Sequence, residues 1–313
     1  GIIEGNYVTT DDVNDFIAGG GISNTVYKVS GTIMKGTCTL KGIKIGKNHL
    51  YGQNLLINFP NAYGGGIYNT SAMTVTKNLI YRNNTSGYGA GICNDFWCGE
   101  ANRVVAIGDC TINSSTVGDI NHAFLYGGGI QNYATLTINN SYIQSNVANH
   151  CGGGIGEYSA NYNIYHVRAT CTLNNSIIGG DTEADGNVCG GSGGGIYLDD
   201  FMSLLTINGT ISINNNKSQK EGGGVANYGR VEISATGTGT INTNIVLGYH
   251  YGGGICNFNG SSCNLSGSGT ITKNSTRMGK PAGGGIYNYP FATYSNTGWT
   301  VTDNTPDDVA TGP

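Results

Sequence analysis

Charge is scarce in this sequence. Asp, Glu, Lys and Arg together make up 11% of its 313 residues, whereas an ordinary soluble domain has about 25%. The net charge is −4, and the few Lys and Arg residues form no basic stripe, which argues against nucleic acid as a partner. No run of about 18 apolar residues occurs, so the sequence predicts no transmembrane helix.

Three poor helix formers dominate the composition instead. Gly (54), Asn (39) and Thr (32) account for 40% of the chain, which excludes a helical bundle. The glycines do not recur at every third position, which excludes collagen. Hydrophobic residues still reach 38%, enough to build a core rather than a disordered chain. A fold made mainly of strands and turns is therefore predicted.

One glycine-rich motif recurs along the chain. Residues 64–69 read GGGIYN, and a related copy stands at residues 19–24. From Gly64 onward the spacings between copies are 25, 38, 25, 41, 29, 30 and 31 residues. The later copies begin at Gly89, Gly127, Gly152, Gly193, Gly222, Gly252 and Gly283. Self-similarity of this kind indicates a repeat architecture.

Two further signatures follow each glycine motif. The first alternates apolar residues with Thr, as in Leu136-Thr137-Ile138, and the second is an Ile-x-x-Asn pattern. The second pattern is found at residues 80–83, 143–146, 211–214, 241–244, 271–274 and, with Val for Ile, 301–304. Period-two alternation indicates strands with one buried face. Three short strands per repeat predict an all-β fold, a single parallel β-helix of about ten coils.

Stacked coils place equivalent residues about 4.8 Å apart, so each residue type forms a column along the stack. The Ile column is expected to fill the interior without polar atoms. Gly serves where a turn needs positive φ or where backbones come close. Asn tolerates the left-handed conformation, and its amide can bond to the Asn of the next coil. Thr is expected on the outer face, as a strand former that needs no charge.

These paired motifs resemble the repeats of chlamydial polymorphic membrane proteins, which read Gly-Gly-Ala-Ile/Leu/Val and Phe-x-x-Asn. They are equally similar to adhesin-like parallel β-helix proteins of bacteria and archaea. The resemblance covers about residues 60 to 309, and residues 302–309 resemble the closing coil of such arrays. It implies a right-handed β-helix, in agreement with the general rule for parallel crossovers.

The N-terminal residues differ from the repeats. Residues 9–19 read TTDDVNDFIAG, a pattern typical of a short amphipathic helix with acids in its first turn and Gly after its end. Because solenoids cap their exposed coil ends, residues 1–24 are predicted to form an N-terminal cap with this helix. Residues 25–313 are predicted to form the β-helix. The two longest spacings predict outward loops at about residues 95–103 and 161–168.

Nine cysteines occur, and none forms a C-x-x-C pair, so zinc and thioredoxin-type sites lack their spacing. Cys110 and Cys171 align with Leu136 at an inward position and are expected to be buried free thiols. The odd total leaves at least one thiol unpaired or intermolecular. The candidate disulfide pairs are Cys93 with Cys98, Cys151 with Cys189, and Cys256 with Cys263.

A parallel β-helix also raises the hypothesis of an enzyme, because pectate lyases and polygalacturonases share that fold. Their chemistry gathers carboxylates on one face. The only dense acidic group here is Asp181, Glu183 and Asp185, with His166 and Arg168 earlier in the same repeat. The polygalacturonase-type patterns Asn-Thr-Asp, Gly-His-Gly and Arg-Ile-Lys are absent. No catalytic residue, metal ligand or cofactor is therefore predicted, and a pectate-lyase-like enzyme is kept as the second alternative.

Tyrosine marks a candidate contact surface. Stacking aligns some of the tyrosines beside the glycine motif as outward ladders. Such ladders either stiffen the stack or form a low-charge face for glycan or protein contact, because Tyr combines apolar area with a polar tip. The candidate contact residues lie just before the first Gly or just after the Ile: Tyr63, Tyr68, Tyr88, Tyr126, Tyr197, Tyr251 and Tyr287.

The leading functional hypothesis is a non-catalytic, extracellular, adhesin-like module at the cell surface. It would present a rigid surface to a glycan or protein of a host or neighbouring cell. The first alternative is a self-assembling envelope or fibre protein, in which coil ends or Tyr-rich faces join copies of the chain end to end or laterally.

Overall fold

The computed structural model describes residues 1–10, 17–29, 32–52, 62–98, 104–162, 165–233 and 237–312. Over these residues the chain is mostly strand and turn, and it contains no α-helix. Successive coils stack so that equivalent strands pair in parallel and form four long sheets. This arrangement is the predicted parallel β-helix, so the predicted fold class is confirmed.

Sheet 1 contains the Ile or Val of each glycine motif. Its strands are Ile22–Asn24, Ile67–Asn69, Ile92–Asn94, Ile130–Asn132, Ile155–Glu157, Ile196–Leu198, Val225–Asn227, Ile255–Asn257, Ile286–Asn288 and Val309–Thr311. Sheet 2 contains the alternating Thr-rich segments. Its strands are Thr37–Lys41, Ala72–Thr76, Asp109–Asn113, Thr135–Asn139, Thr170–Asn174, Leu204–Asn208, Arg230–Ile233, Ser262–Leu265 and Thr293–Asn296.

Sheet 3 contains the Ile of the Ile-x-x-Asn pattern. Its strands are Ile2–Glu4, Lys44–Gly46, Leu79–Tyr81, Thr116–Gly118, Tyr142–Ile143, Ile177–Gly179, Thr210–Asn214, Thr238–Asn242, Ser268–Thr272 and Trp299–Thr302. Sheet 4 follows the Asn of that pattern. Its strands are Tyr7–Thr10, His49–Gly52, Asn84–Thr85, His122–Ala123, Val147–Ala148, Val188–Cys189, Lys217–Ser218, Ile245–Val246 and Ser275–Thr276.

A full coil thus has four strands where the sequence predicted three. The fourth strand, in sheet 4, is mostly two residues long and precedes the turn that leads to the next glycine motif. A segment of two residues is too short to show a period-two alternation. The sequence pattern therefore did not separate this strand from the turn that follows it.

Among the described residues, three antiparallel hairpins leave the coils at the corner between sheets 1 and 2. The hairpins Phe96–Cys98 with Val104–Ile107 and Ala160–Tyr162 with Tyr165–Val167 account for the predicted outward loops. A third hairpin pairs Tyr27–Val29 with Thr32–Met34, in a segment where the sequence predicted only opening coils. A short 3-10 helix, Glu183–Asp185, lies between sheets 3 and 4.

The predicted N-terminal helix is not seen. Its central residues 11–16 lie outside the described residues, and strands Tyr7–Thr10 and Ile17–Ala18 stand on either side of them. Ile17–Ala18 pairs with Ala62–Tyr63 of the next coil. Such pairing gives the backbone the hydrogen bonds that a helix would form internally. Within residues 1–24, Ile2–Glu4 and Ile22–Asn24 also pair in sheets 3 and 1, so this segment contributes to the stack.

The interior is a stack of aliphatic columns. Ile67 and Ile92 are paired neighbours in sheet 1, and both are fully buried. The inner column of sheet 2 contains Cys110, Leu136 and Cys171 in successive coils. Both thiols belong to the hydrophobic core, as predicted.

A buried asparagine ladder runs beside sheet 4, as the column hypothesis predicted. Each side-chain Nδ2 donates to Oδ1 of the asparagine in the next coil, over distances of 2.8 to 3.0 Å. Except for the exposed Asn6, these amides are buried, so the ladder pairs polar groups that would otherwise lie inside the protein without a partner. Its members are Asn6, Asn48, Asn83, Asn121, Asn146, Asn187, Asn216, Asn244, Asn274 and Asn304.

The predicted Ile-x-x-Asn unit at residues 211–214 is wrong by two residues. Ile213 pairs with Ile178 in sheet 3, and Asn187 donates to Asn216 rather than to Asn214. Ile211 and Ile213 both point into the core. Since both registers place an isoleucine inside, the sequence pattern could not distinguish them.

The glycine motif fits its place for two reasons. The first Gly of each copy from residue 64 onward has φ between 56° and 72°, a conformation that favours glycine. The second Gly lies where backbones approach closely. A Cβ on Gly153 would lie 2.5 Å from the carbonyl oxygen of Gly194 and 2.7 Å from that of Val188.

Candidate functional site

The outer side of sheet 1 is covered by three columns of side chains, which we call the aromatic face. The floor column takes the outward residue of each strand: Tyr68, Cys93, Gln131, Gly156, Tyr197, Ala226, Cys256 and Tyr287. The leading column takes the residue before each motif: Tyr63, Tyr88, Tyr126, Cys151, Ser192, Glu221, Tyr251 and Ala282. The trailing column takes the residue after each strand: Thr70, Asp95, Tyr133, Tyr158, Asp199, Tyr228, Phe258 and Tyr289.

Backbone hydrogen bonds keep both flanking columns in register. In the leading column, Gly64 N donates to Tyr88 O and Gly89 N donates to Tyr126 O, both at 3.0 Å. In the trailing column, Tyr133 N donates to Asn94 O at 2.8 Å. The backbone of each coil therefore places three side chains of the face directly above those of the preceding coil.

The rings contact one another from coil to coil. Tyr63 and Tyr88 stack with centroids 5.0 Å apart, and Tyr88 stacks on Tyr126 at 5.8 Å. Tyr126 then meets Tyr158 edge to face at 5.4 Å. Such pairs contribute beyond the area they bury. The leading and trailing columns are thus joined across the floor.

A second group of rings continues the contacts to the later coils. Tyr228 lies flat on Phe258 with centroids 3.6 Å apart, and Phe258 stacks on Tyr289 at 5.1 Å. Tyr251 and Tyr287 stack at 4.2 Å. The floor beneath Tyr228 and Phe258 is small, being Ala226 and Cys256, so rings of the trailing column lie low over it.

Two aspartates of the trailing column accept hydrogen bonds from floor tyrosines. Tyr68 Oη donates to Asp95 Oδ2 at 3.0 Å, and Tyr197 Oη donates to Asp199 Oδ1 at 2.7 Å. Burial raises the pKa of Asp95 to about 6, against the opposing effect of its hydrogen bonds. Burial also raises the pKa of Asp199. The carboxyl groups of Asp95 and Asp199 are therefore only partly accessible to water.

The leading column turns polar in the middle of the face. Ser192 Oγ donates to Glu221 Oε2 at 3.0 Å, and His250 Nδ1 lies 3.1 Å from Glu221 Oε1. Cys151 precedes Ser192 in the column, and the Ser192 backbone N–H donates to its sulfur at 3.4 Å. Glu221 and Asp199 thus place carboxyl oxygens on both sides of the floor, where they can accept hydrogen bonds from a ligand.

One floor residue is a buried amide without a partner. Gln131 is fully buried, and neither its Nε2 nor its Oε1 forms a hydrogen bond. Its amide extends towards Gly156, where an added Cβ would clash with Gln131 Oε1. An unsatisfied buried amide costs about 1–3 kcal/mol of stability. Strand packing alone gives no reason for glutamine at this position.

The seven predicted contact tyrosines are all brought onto this face, but not as a freely exposed row. Tyr68, Tyr197 and Tyr287, in the floor, are only 4%, 8% and 3% exposed. Tyr63, Tyr88, Tyr126 and Tyr251, in the leading column, are half-buried. The stacking between Tyr63, Tyr88 and Tyr126 is the outward ladder that the column hypothesis predicted.

Sequence reasoning missed the aromatic residues of the trailing column. Each of them stands one position after the end of a sheet 1 strand, a signal that a comparison of the repeats could have shown. These positions also hold Asp and Thr, so no single residue type marks the column. The missed rings are Tyr133, Tyr158, Tyr228, Phe258 and Tyr289.

The candidate disulfide pairs are not formed in the structure. Eight of the nine cysteines are free thiols, and the side chain of Cys98 lies outside the described residues. Cys256 belongs to the aromatic face whereas Cys263 belongs to the inner core, so this pair is separated by the wall of the β-helix. Cys151 and Cys189 are neighbours along the stack, and both remain thiols.

The acidic group at residues 181–185 lies away from the aromatic face and makes local contacts. Glu183 forms an ion pair with Lys217, and Asp185 Oδ2 accepts from Thr182 Oγ1 at 2.7 Å. Arg168 Nε donates to the Met202 carbonyl at 2.9 Å, and the side chain of His166 lies outside the described residues. The contacts of Glu183 and Asp185 hold the turn around the 3-10 helix, whereas Arg168 and Met202 lie just before strands of sheet 2.

Comparison with family models, curated proteins and solved structures gives no match to this chain. In the described part of the chain, no three His, Cys, Asp or Glu side chains are grouped so that they could hold a metal ion. No helix of the described residues is long and apolar enough to span a membrane.

Proposed function

We propose that this chain is a non-catalytic, adhesin-like module of the cell surface, and that its aromatic face contacts a glycan chain. The observation that carries the proposal is the continuity of the face over eight coils. At about 4.8 Å per coil it extends roughly 34 Å, long enough for several sugar units.

The chemistry of the face suits a sugar polymer. Sugar rings present apolar C–H faces and hydroxyl edges, and tyrosine rings supply apolar area with a polar tip. Asp95, Asp199 and Glu221 supply carboxyl oxygens, which form strong hydrogen bonds with hydroxyl donors when ionised. Aromatic walls with a few placed polar groups are the usual composition of a small-molecule site.

The fold suits a surface module. The four sheets pair the backbone of each coil with its neighbours, so the face is presented on a rigid support. The repeat resembles those of surface adhesins, and this resemblance supports a location outside the cell. Antibody labelling of intact cells tests the location, and protein found only after cell lysis would contradict it.

Binding is tested by affinity electrophoresis in gels that contain neutral, N-acetylated or acidic polysaccharides. We expect at least one polymer to retard the protein. Tyr88→Ala and Tyr126→Ala each remove a half-buried ring and should weaken binding about tenfold. Thr137→Ala, on the outer side of sheet 2, is the matched control and should bind like wild type. Binding by the tyrosine variants that equals wild type, or no retardation by any polymer, would contradict the proposal.

Self-assembly, the first alternative, makes a different prediction. Of the described cysteines, only Cys38 and Cys151 are more than marginally exposed, so few thiols could bridge copies of the chain. The adhesin-like module should have one mass across concentration, with or without reductant. Polymers that form at higher concentration or dissolve with reductant would favour assembly.

The enzyme alternative is tested by incubation with polygalacturonate and alginate, with and without calcium. The expected result is no new reducing ends and no unsaturated products. Products that disappear in Asp181→Ala would reinstate the acidic turn as a catalytic site, and products that disappear in Asp199→Asn would place catalysis on the aromatic face.

A further inference from the structure

The buried amide of Gln131 is the starting point. In the described part of the aromatic face it is the side chain whose donor and acceptor atoms both lack a hydrogen-bond partner. Buried amides in folded proteins are normally paired, so one that is not requires an explanation. A ligand that supplies the missing partners would provide it.

Gln131 is enclosed by a glycine and by aromatic side chains of the face. By register, Gly156 follows Gln131 in the floor column and Tyr197 follows Gly156. Because Gly156 has no side chain, the Gln131 amide lies in the space above it. Tyr126 and Tyr158, in the leading and trailing columns, meet over this part of the floor. Both rings are half-buried whereas Gln131 is fully buried, so a ligand reaches the amide only after one of these rings rotates.

We propose that Gln131, together with the rings of Tyr126 and Tyr158, forms a subsite for the acetamido group of an N-acetylated sugar. An acetamido group offers one N–H donor and one carbonyl acceptor, which pair with Gln131 Oε1 and Nε2. Its methyl group contacts the two rings. Glucose has a hydroxyl at that position, so it lacks both the methyl group and the planar N–H and C=O pair of the acetamido group. This inference rests on the proposed glycan binding.

Charge on the face favours a neutral ligand. Asp199 stands in the coil after Gly156, and Glu221 stands one coil further, so an anionic sugar would approach two acids. A uronic acid polymer is therefore disfavoured. The neutral acetamido group carries the required donor and acceptor without charge.

The test is calorimetric titration of the full chain with the hexamer of N-acetylglucosamine and with the hexamer of glucose. Wild type is expected to bind the N-acetylated hexamer about tenfold more tightly, because a site built for a polar group discriminates against a ligand that lacks it. Gln131→Leu should bind the two hexamers with equal affinity. Gln144→Leu, a half-exposed glutamine between sheets 3 and 4, should retain the preference.

Each outcome decides between the two proposals. Equal binding of both hexamers by wild type would overturn the subsite and leave glycan binding standing. A preference that persists in Gln131→Leu would overturn the role of Gln131. No binding of either hexamer, with other polymers retarded in the gel assay, would overturn the subsite alone, and no binding of any glycan would overturn both proposals. Gln131→Met, which keeps the length of the side chain, replaces Gln131→Leu if the latter unfolds.

Discussion

The outer sides of sheets 1 and 2 stand on the same coils but differ in regularity. The central outward column of sheet 2 repeats one residue over six coils: Thr39, Thr74, Thr111, Thr137, Thr172 and Thr206. Beside it, Asn113, Asn139, Asn174 and Asn208 form a side-chain ladder. The floor of the aromatic face holds five residue types over eight coils, from glycine to tyrosine.

The contrast distinguishes residues that the β-helix requires from residues that it only tolerates. A threonine column is explained by strand preference and cross-strand contacts. The floor of sheet 1 has the same parallel pairing, yet it accommodates Gln131, Gly156 and Tyr197 in succession. Stacking therefore does not dictate these residues. An irregular column on a regular scaffold is where ligand chemistry is expected.

Both faces are built on one shared backbone. Gly153→Ala should destabilise that backbone and have the largest effect of the variants below. The added Cβ would meet backbone carbonyls of Gly194 and Val188, which cannot move without displacing the next coil. The free energy of unfolding should fall by about 3 kcal/mol or more in a urea titration. Gly279→Ala is the control, because nothing lies within 4 Å of its Cβ position, and it should change stability by less than about 0.5 kcal/mol. Equal stability of the two variants would refute the close-contact explanation.

The two faces can be compared directly by removing one side chain from each. Tyr197→Ala deletes a buried ring that contacts Tyr126, Tyr158 and Tyr228. It should lower the free energy of unfolding by about 3 kcal/mol. Thr172→Ala, on the outer side of sheet 2, should cost less than about 1 kcal/mol. Thermal unfolding measures both changes. If Thr172→Ala lowered the stability as much as Tyr197→Ala, the two faces would not differ in their contribution to stability.

Sheet 1 is also irregular at the last position of its strands. Asn94 and Asn132 occupy this buried position in two successive coils, and Glu157 occupies it in the next. Asn132 Nδ2 donates to Glu157 Oε1 at 3.0 Å, and the Cys171 thiol lies beside the carboxyl group. Burial raises the pKa of Glu157 well above its usual value of 4.5, although both neighbours oppose the shift. Between the pKa of the unfolded chain and the higher pKa of the folded protein, Glu157 therefore keeps a proton only in the folded state.

The sign of the resulting pH dependence follows from that proton. The stabilising effect of the protonated form is complete below about pH 4.5 and is lost as the pH rises towards the folded pKa. Relative to wild type, Glu157→Gln should thus be more stable at pH 8 than at pH 4. Glu232→Gln, half-buried on the outer side of sheet 2, should differ from wild type by less than about 0.5 kcal/mol at both pH values. A constant difference across pH for Glu157→Gln would contradict a buried, protonated carboxyl group.

Sequence reasoning found the features that repeat as a fixed residue pattern and missed those that have no such pattern. The glycine motif, the inner aliphatic columns and the asparagine ladder recur in nearly every coil, so periodicity alone predicts them. The fourth strand was missed because two residues carry no period, and residues 211–214 were misplaced because Ile211 and Ile213 fit the core equally well. The partnerless amide of Gln131 depends on Gly156 in the next coil, 25 residues away, a relation that no motif expresses.

Because each coil supplies one leading, one floor and one trailing residue, the aromatic face can change in steps of a single coil. A point mutation in one coil alters about 4.8 Å of the surface and, as at Gly156, acts on the side chain of the adjoining coil that it contacts. New specificity can therefore arise without a new fold, since three positions per coil vary while the glycines and the inner isoleucines stay fixed. Over eight coils this gives twenty-four positions for selection to act on, arranged in order along one axis.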